Sequence, residues 1–157
     1  MDTARVIDLP VAQDAALASR ELQKLWFSLA AQRWSSLLIV PAPGVASTLA
    51  LASELAQIGR RAALDNRTTV IDATRVTLEQ AAGLASQLAT RVGQGERVLV
   101  AIDRVDENPA ALALAARCDA ALLCVALGRS DLKSSRETLE RCGRARFLGS
   151  VVMLPNA

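Results

Sequence analysis

Apolar positions follow two different periods along this chain, and the switches between them divide it into elements. Short, nearly continuous apolar runs occur at 35–40, 68–73, 97–102, 120–127 and 147–154, all but the second followed directly by Pro, Gly or Asp. That is the pattern of strands buried on both faces. Between them the apolar residues recur at helical spacing. Over 12–33 these are Ala15, Leu17, Leu22, Leu25, Trp26 and Leu29, with Asp14 near the start. Over 48–64 they are Leu49, Leu51, Ala52, Leu55, Ala56 and Ile58, with Gly59 expected to break the helix early. Thr77, with Glu79 and Gln80 in the next turn, opens a helix to Val92 that Gly93-Gln94-Gly95 stops. Asn108-Pro109 begins a short Ala-rich helix, and Ser130 or Asp131 caps a polar helix reaching Cys142. Residues 1–10 read as an extended lead-in ending at Pro10.

Strand and helix thus alternate five times, which predicts an α/β fold. It is a three-layer, doubly wound, mainly parallel sheet of five or more strands. The whole chain, 1–157, reads as a single domain. The order of the strands does not follow from the pattern.

Composition narrows the class. Hydrophobic residues make up 52% of the chain and aromatics only 3%, so the core must be Ala, Leu and Val. Trp26, Phe27 and Trp34 read as packing of the first helix on the sheet. A net charge of +2, with arginines scattered throughout, gives no electrostatic case for nucleic acid. Cys118, Cys124 and Cys142 have no paired spacing and there is no histidine, which argues against a zinc site and a disulfide framework. A reducing cytoplasm is the expected compartment. The start, Met-Asp-Thr-Ala-Arg, lacks a signal-peptide layout, and Pro41, Pro43 and Gly44 interrupt the longest apolar run. The expectation is a soluble protein without direct membrane insertion, peripheral at the inner membrane at most, through a partner.

Candidate chemistry centres on Leu37-Leu38-Ile39-Val40-Pro41-Ala42-Pro43-Gly44-Val45-Ala46-Ser47-Thr48-Leu49. A buried strand, a Pro/Gly turn and a Ser-Thr pair opening a helix make the layout of a phosphate-binding loop. The lysine such loops need is missing, and Lys24 and Lys133 are the only lysines in the chain. Ligands of open parallel sheets bind at the carboxyl ends of the strands. Gly44, Ser47, Thr48, Asp72 and Asp103 are therefore the candidates for a vestigial phosphate and magnesium site. Ser47 and Thr48 also read as a helix N-cap, and the two aspartates as turn residues. Arg75 and Arg104, beside the aspartates, are the only replacements for the lysine. The stretch 103–107 reads as a solvated loop or as a carboxylate cluster for a metal. Arg136, Glu137, Glu140 and Arg141 read as a solvated helix face with i,i+4 pairs.

With these elements placed, the sequence resembles the cytoplasmic domain of bacterial tyrosine kinases (BY-kinases). These are relatives of the MinD/ParA ATPases that work with polysaccharide co-polymerases. Pro43-Gly44-Val45-Ala46-Ser47-Thr48 stands where that family has Pro-Gly-Glu-Gly-Lys-Ser. Val70-Ile71-Asp72-Ala73-Thr74-Arg75 is similar to its Ile-Asp-Ala-Asp strand end. Val100-Ala101-Ile102-Asp103 and Asp119-Ala120-Ala121-Leu122-Leu123-Cys124-Val125 match it more closely. The pre-loop helix keeps only Arg20 of a Glu-x-x-Arg-x-x-Arg pattern, and the chain has no tyrosine. The resemblance implies a P-loop NTPase-like scaffold without its chemistry, with no catalytic residue, resident metal or required cofactor. It implies an accessory of exopolysaccharide or cellulose synthesis that binds a membrane co-polymerase, a synthase or a related ATPase. Two other readings stay open. One is an active, magnesium-dependent ATPase or kinase with a non-standard loop that binds ATP. The other is a MinD-like assembly protein that forms a homodimer across the loop.

Overall fold

The computed structural model describes residues 6–9, 15–63 and 67–154. Six strands, β1 (Val6–Leu9), β2 (Ser36–Pro41), β3 (Thr68–Ala73), β4 (Arg97–Ile102), β5 (Ala120–Ala126) and β6 (Phe147–Met153), form one sheet. Its order is β1-β6-β5-β2-β4-β3, and every pairing is parallel. Five helices connect them: α1 (Ala15–Ala30), α2 (Leu49–Ala63), α3 (Leu78–Gly93), α4 (Ala111–Ala115) and α5 (Leu132–Cys142). The expected α/β three-layer fold is what the chain adopts. Part of the lead-in is itself a strand, because Val6–Leu9 pairs with Ser150–Met153 at one edge. The expected helix start around Ala12 and Asp14, and Leu64 at the expected end of the second helix, lie outside the described residues.

Right-handed crossovers assign the layers. The steps β1→β2 and β2→β3 move across the sheet in one direction, so α1 and α2 share a face. The steps β3→β4, β4→β5 and β5→β6 move the other way, placing α3, α4 and α5 opposite. Two hydrophobic clusters match. Leu25, Trp26, Leu51 and Leu55 pack on one face with Leu37 and Ile39. Ala81, Leu88, Leu114 and Cys142 pack on the other with Leu38 and Val40. One apolar strand therefore feeds both cores by simple alternation, and β2 is buried at all six positions. The outer strands depart from the uniform pattern: β3 and β6 are only partly buried.

The ends of the elements follow local chemistry. Thr77 and Gln80 form a reciprocal capping box at α3, and the Asp131 carboxylate accepts the Ser134 N–H at 2.7 Å to cap α5. Asp119 accepts the N–H groups of Ser35 and Ser36 at 3.0 and 3.1 Å, while Ser36 Oγ accepts the Asp119 N–H. That clamp sets the register of β5 on β2. Trp26 and Trp34 meet edge-on with ring centroids 6.0 Å apart, and Arg97 lies over Trp34. Phe27, in contrast, is 59% exposed and packs neither on the sheet nor in a cluster. On α5 the ion pair is Glu140 with Arg144 at 3.7 Å, one turn beyond the pairs expected from 136–141. Among the described residues no helix is long and apolar enough to cross a membrane.

Strand β3 is a sheet edge, and two arginines close it. Arg97 N–H donates to Arg67 O, so alternation leaves the carbonyls of Thr68 and Val70 facing outward. Arg60 donates to Thr68 O at 2.9 Å from one face, and Arg91 donates to Val70 O at 3.1 Å from the other. Free carbonyls on an edge recruit further strands. Replacing Arg60 and Arg91 together by serine is expected to expose the edge. Light scattering during storage should then rise, while the parent chain stays clear. No change would show the edge to be protected some other way.

Candidate functional site

Strand β2 hands the chain to α2 on one face, and its neighbour β4 hands it to α4 on the other. A crevice opens where adjacent connections diverge in this way. Here it is a cavity of about 420 Å³. Its walls are Pro41, Val45, Ala46 and Ser47 from the loop after β2, Arg75 from the loop after β3, and Ile102, Asp103, Arg104, Glu107 and Asn108 after β4.

The loop after β2 is fixed from behind. Gly44 has φ +102°, and a Cβ there would lie 2.8 Å from the backbone C and O of Arg129. Ser130 Oγ donates to Pro43 O at 2.6 Å and accepts the Ala126 N–H at 2.9 Å. Ser130, expected as a possible cap of α5, instead ties two loops together. Val45 N–H donates to Ala42 O at 3.1 Å and its side chain is buried. Ser47 is exposed, and its Oγ accepts the Leu49 N–H at 3.2 Å, a cap at the start of α2. Thr48 is fully buried and its hydroxyl donates to Ile102 O at 3.1 Å. That bond braces α2 against β4 and turns the hydroxyl away from the cavity.

The acidic candidates divide. Asp103 lines the cavity, where its Oδ2 accepts the Arg75 N–H at 2.6 Å and lies 3.5 Å from Asn108 Nδ2. Arg75 is the one non-glycine residue with positive φ (59°) among the described residues, held there by this carboxylate. Asn108 Nδ2 also donates to Val76 O at 3.0 Å, so a residue expected only to start a helix joins two loops. Asp72 is exposed at the end of the edge strand and accepts from Thr74 N–H and Oγ1 at 3.0 and 2.5 Å. Of the five site candidates the cavity thus gathers Ser47 and Asp103. Gly44 and Thr48 support the loop from behind, and Asp72 closes its own turn.

Charge in the cavity is mostly spent internally. Arg104 bonds Asp106 at 2.7 Å and Glu107 at 3.0 Å. The hydrogen bond to Arg104 holds the Asp106 carboxyl below the usual carboxylate range. The stretch 103–107 therefore spends its one arginine on Asp106 and Glu107 and keeps an excess of carboxylates. Among the described residues no three His, Cys, Asp or Glu gather as a metal site. Arg75 and Asp103 both line the cavity and neither makes an ion pair among the described residues, so one cation and one carboxylate face it unpaired. Lys24 pairs with Glu21 on α1 and Lys133 lies exposed on α5; neither lines the cavity. The three thiols are buried, and burial pushes those of Cys118 and Cys124 up to about 12, where they stay protonated and unreactive.

No protein-family model matches the chain, and no curated protein matches it significantly.

Proposed function

We propose that the chain is a catalytically inactive, P-loop-like domain that works by protein–protein interaction. Its place would be as an accessory or regulatory protein of bacterial exopolysaccharide or cellulose synthesis and export. Its partner would be a membrane co-polymerase, a synthase or a related ATPase, which would keep it in the cytoplasm at the inner membrane. One observation carries the inactive part of this reading: the hydroxyl that should face a nucleotide-bound magnesium is sealed under α2. Thr48 donates to Ile102 O at 3.1 Å with no exposed surface, and the loop offers Ser47 where the lysine would stand and Ala46 in place of the glycine before it. Phosphoryl transfer rests on positioning and on stabilising developing charge. Removing one such donor from a working site costs about 3 kcal/mol of barrier, and here two groups are missing at once. The polymer pathway is supported by the sequence resemblance alone.

The test is genetic. Deleting the chain from its host is expected to lower polymer output. The double variant Asp72→Asn with Asp103→Asn is expected to restore it fully, because both amides keep acceptor oxygens for the two loops. A variant that accumulates normally yet leaves output at the deletion level would mean that the carboxylates do chemistry. An unchanged output on deletion would remove the polymer assignment.

Arg75 motivates a second reading, an ATPase in which its guanidinium replaces the lysine, since it reaches the cavity without an ion pair. Magnesium-dependent hydrolysis abolished by Arg75→Ala would establish it.

A further inference from the structure

The two faces of the sheet are not covered to the same extent. On the second face, among the described residues, the helix layer runs α3, α4, α5 and ends there, while the sheet continues to β6 and β1. Beyond α5 lies a groove of about 850 Å³. Its floor is Leu123 and Val125 of β5 with Phe147 and Val152 of β6, and its wall carries Leu132 and Leu139 of α5. Val125 and Val152 are half-buried and Leu132 is 66% exposed. The backbone of β1 extends the sheet past this floor, with Val6 paired to Ser150 and Asp8 to Val152. Parallel strands are ordinarily covered on both faces. The same strand β6 is covered on its other face, where Val151 is fully buried among the α1–α2 cluster.

The lining carries two basic groups against one acidic group. Arg136 and Arg144 line the groove from α5 and the 3-10 turn after it. Asp131, the acid in the lining, is committed to Ser134 through its N–H at 2.7 Å and its hydroxyl at 2.8 Å. Arg136 makes no ion pair among the described residues, and Arg144 makes only the exposed 3.7 Å contact with Glu140.

We infer that this groove receives an amphipathic helix from the partner protein, its apolar stripe on the β5–β6 floor and acidic residues on the flank facing α5. The slot follows α5 just where a next helix of the layer would pack, about 10 Å further along. A flat apolar floor beside a helix is the setting of helix-in-groove recognition. The two arginines select the acidic flank. The inference rests on the interaction reading above and names its surface.

The test uses the whole chain and two labelled helical peptides of about 15 residues. Both carry leucine at i, i+3, i+4 and i+7 positions; one has Glu on its flanks and the other Lys. Fluorescence anisotropy at low salt is expected to show saturable binding of the Glu peptide, at least about tenfold tighter than the Lys peptide. Val152→Asp should weaken it by a similar factor. Arg136→Glu with Arg144→Glu should reverse the preference. Phe27→Asp, at an exposed apolar side chain on the opposite face, should leave binding unchanged, and the thermal midpoints of all variants report that they fold. No saturation, equal affinity for both peptides, or indifference to the groove variants would overturn the inference. So would a concentration-dependent dimer dissolved by Val152→Asp, which would give the groove to a second copy. The titration reads the groove alone, whereas nucleotide turnover would defeat the inactive reading and leave a groove result standing.

Discussion

Gly44→Ala is expected to lower the unfolding free energy by about 3 kcal/mol, although it adds a single methyl group to a surface loop. Two effects combine. At φ +102° an L-residue is strained by roughly 1–3 kcal/mol. The new Cβ would also stand 2.8 Å from the backbone carbon and oxygen of Arg129, and backbone does not swing aside as a side-chain tip does. Overpacking of this kind costs a further 1–3 kcal/mol or so. Because Ser130 Oγ already fastens Pro43 O at 2.6 Å, relieving the clash means breaking the tie between the loops after β2 and β5. Urea denaturation followed by circular dichroism measures the loss. A decrease below about 1 kcal/mol would show that the loop moves freely and that its glycine is not needed for packing. In a phosphate loop the glycine lets backbone approach a ligand; here it lets backbone approach backbone.

Gly59→Ala is expected to destabilise by about 2 kcal/mol, against the sign that helix propensity gives. In a helix interior, replacing Gly by Ala ordinarily gains about 1 kcal/mol. Gly59 lies inside α2, buried against α1. A Cβ there would meet Trp26 Cζ2 at 2.7 Å and Thr68 Oγ1 at 2.9 Å. Trp26 is itself held edge-on against Trp34 at 6.0 Å and is 4% exposed, so the ring has no room to retreat. Gly83 in α3 is the control: nothing lies within 4 Å of its Cβ position, and Gly83→Ala is expected to stabilise by about 0.5–1 kcal/mol. The pair of thermal melts should shift in opposite directions. Stabilisation by both substitutions would mean that the α1–α2 contact is looser than described.

Gly59 also marks where the sequence misleads. Read from propensity it breaks α2 early, yet the helix continues to Ala63, because a tertiary contact decides what a local rule cannot. The central strands were legible for the opposite reason. Residues of β2 alternate between two cores, so every position must be apolar, and the run announces itself. Strand β1 was not, since four residues in an extended lead-in become a strand only by pairing with β6, at the far end of the chain. Phe27 follows Trp26 in sequence, but one step along a helix turns a side chain by about 100°, which carries it off the buried stripe of Leu22, Leu25, Trp26 and Leu29.

At the site, the absence of a loop lysine could be read directly from the sequence, and so could the proximity of Arg104 to Asp106 and Glu107. The inward turn of the Thr48 hydroxyl could not, because its acceptor is the carbonyl of Ile102 on another strand. Asp72 and Asp103 look equivalent in sequence, each closing an apolar strand. The sheet order separates them, putting β4 beside the loop and β3 at the edge. The groove beyond α5 has no sequence signature, since it arises from which strands the helices leave bare.

The central claim is that the cavity at the carboxyl ends of β2 and β4 no longer performs nucleotide chemistry. Calorimetric titration of the purified chain with ATP and with ADP, each with and without magnesium, tests it most directly. The expected result is no binding heat up to millimolar nucleotide, unchanged by magnesium. Saturable binding in the micromolar range that strengthens with magnesium and is lost in Asp103→Asn would contradict the account, and would make Arg75 the replacement for the missing lysine.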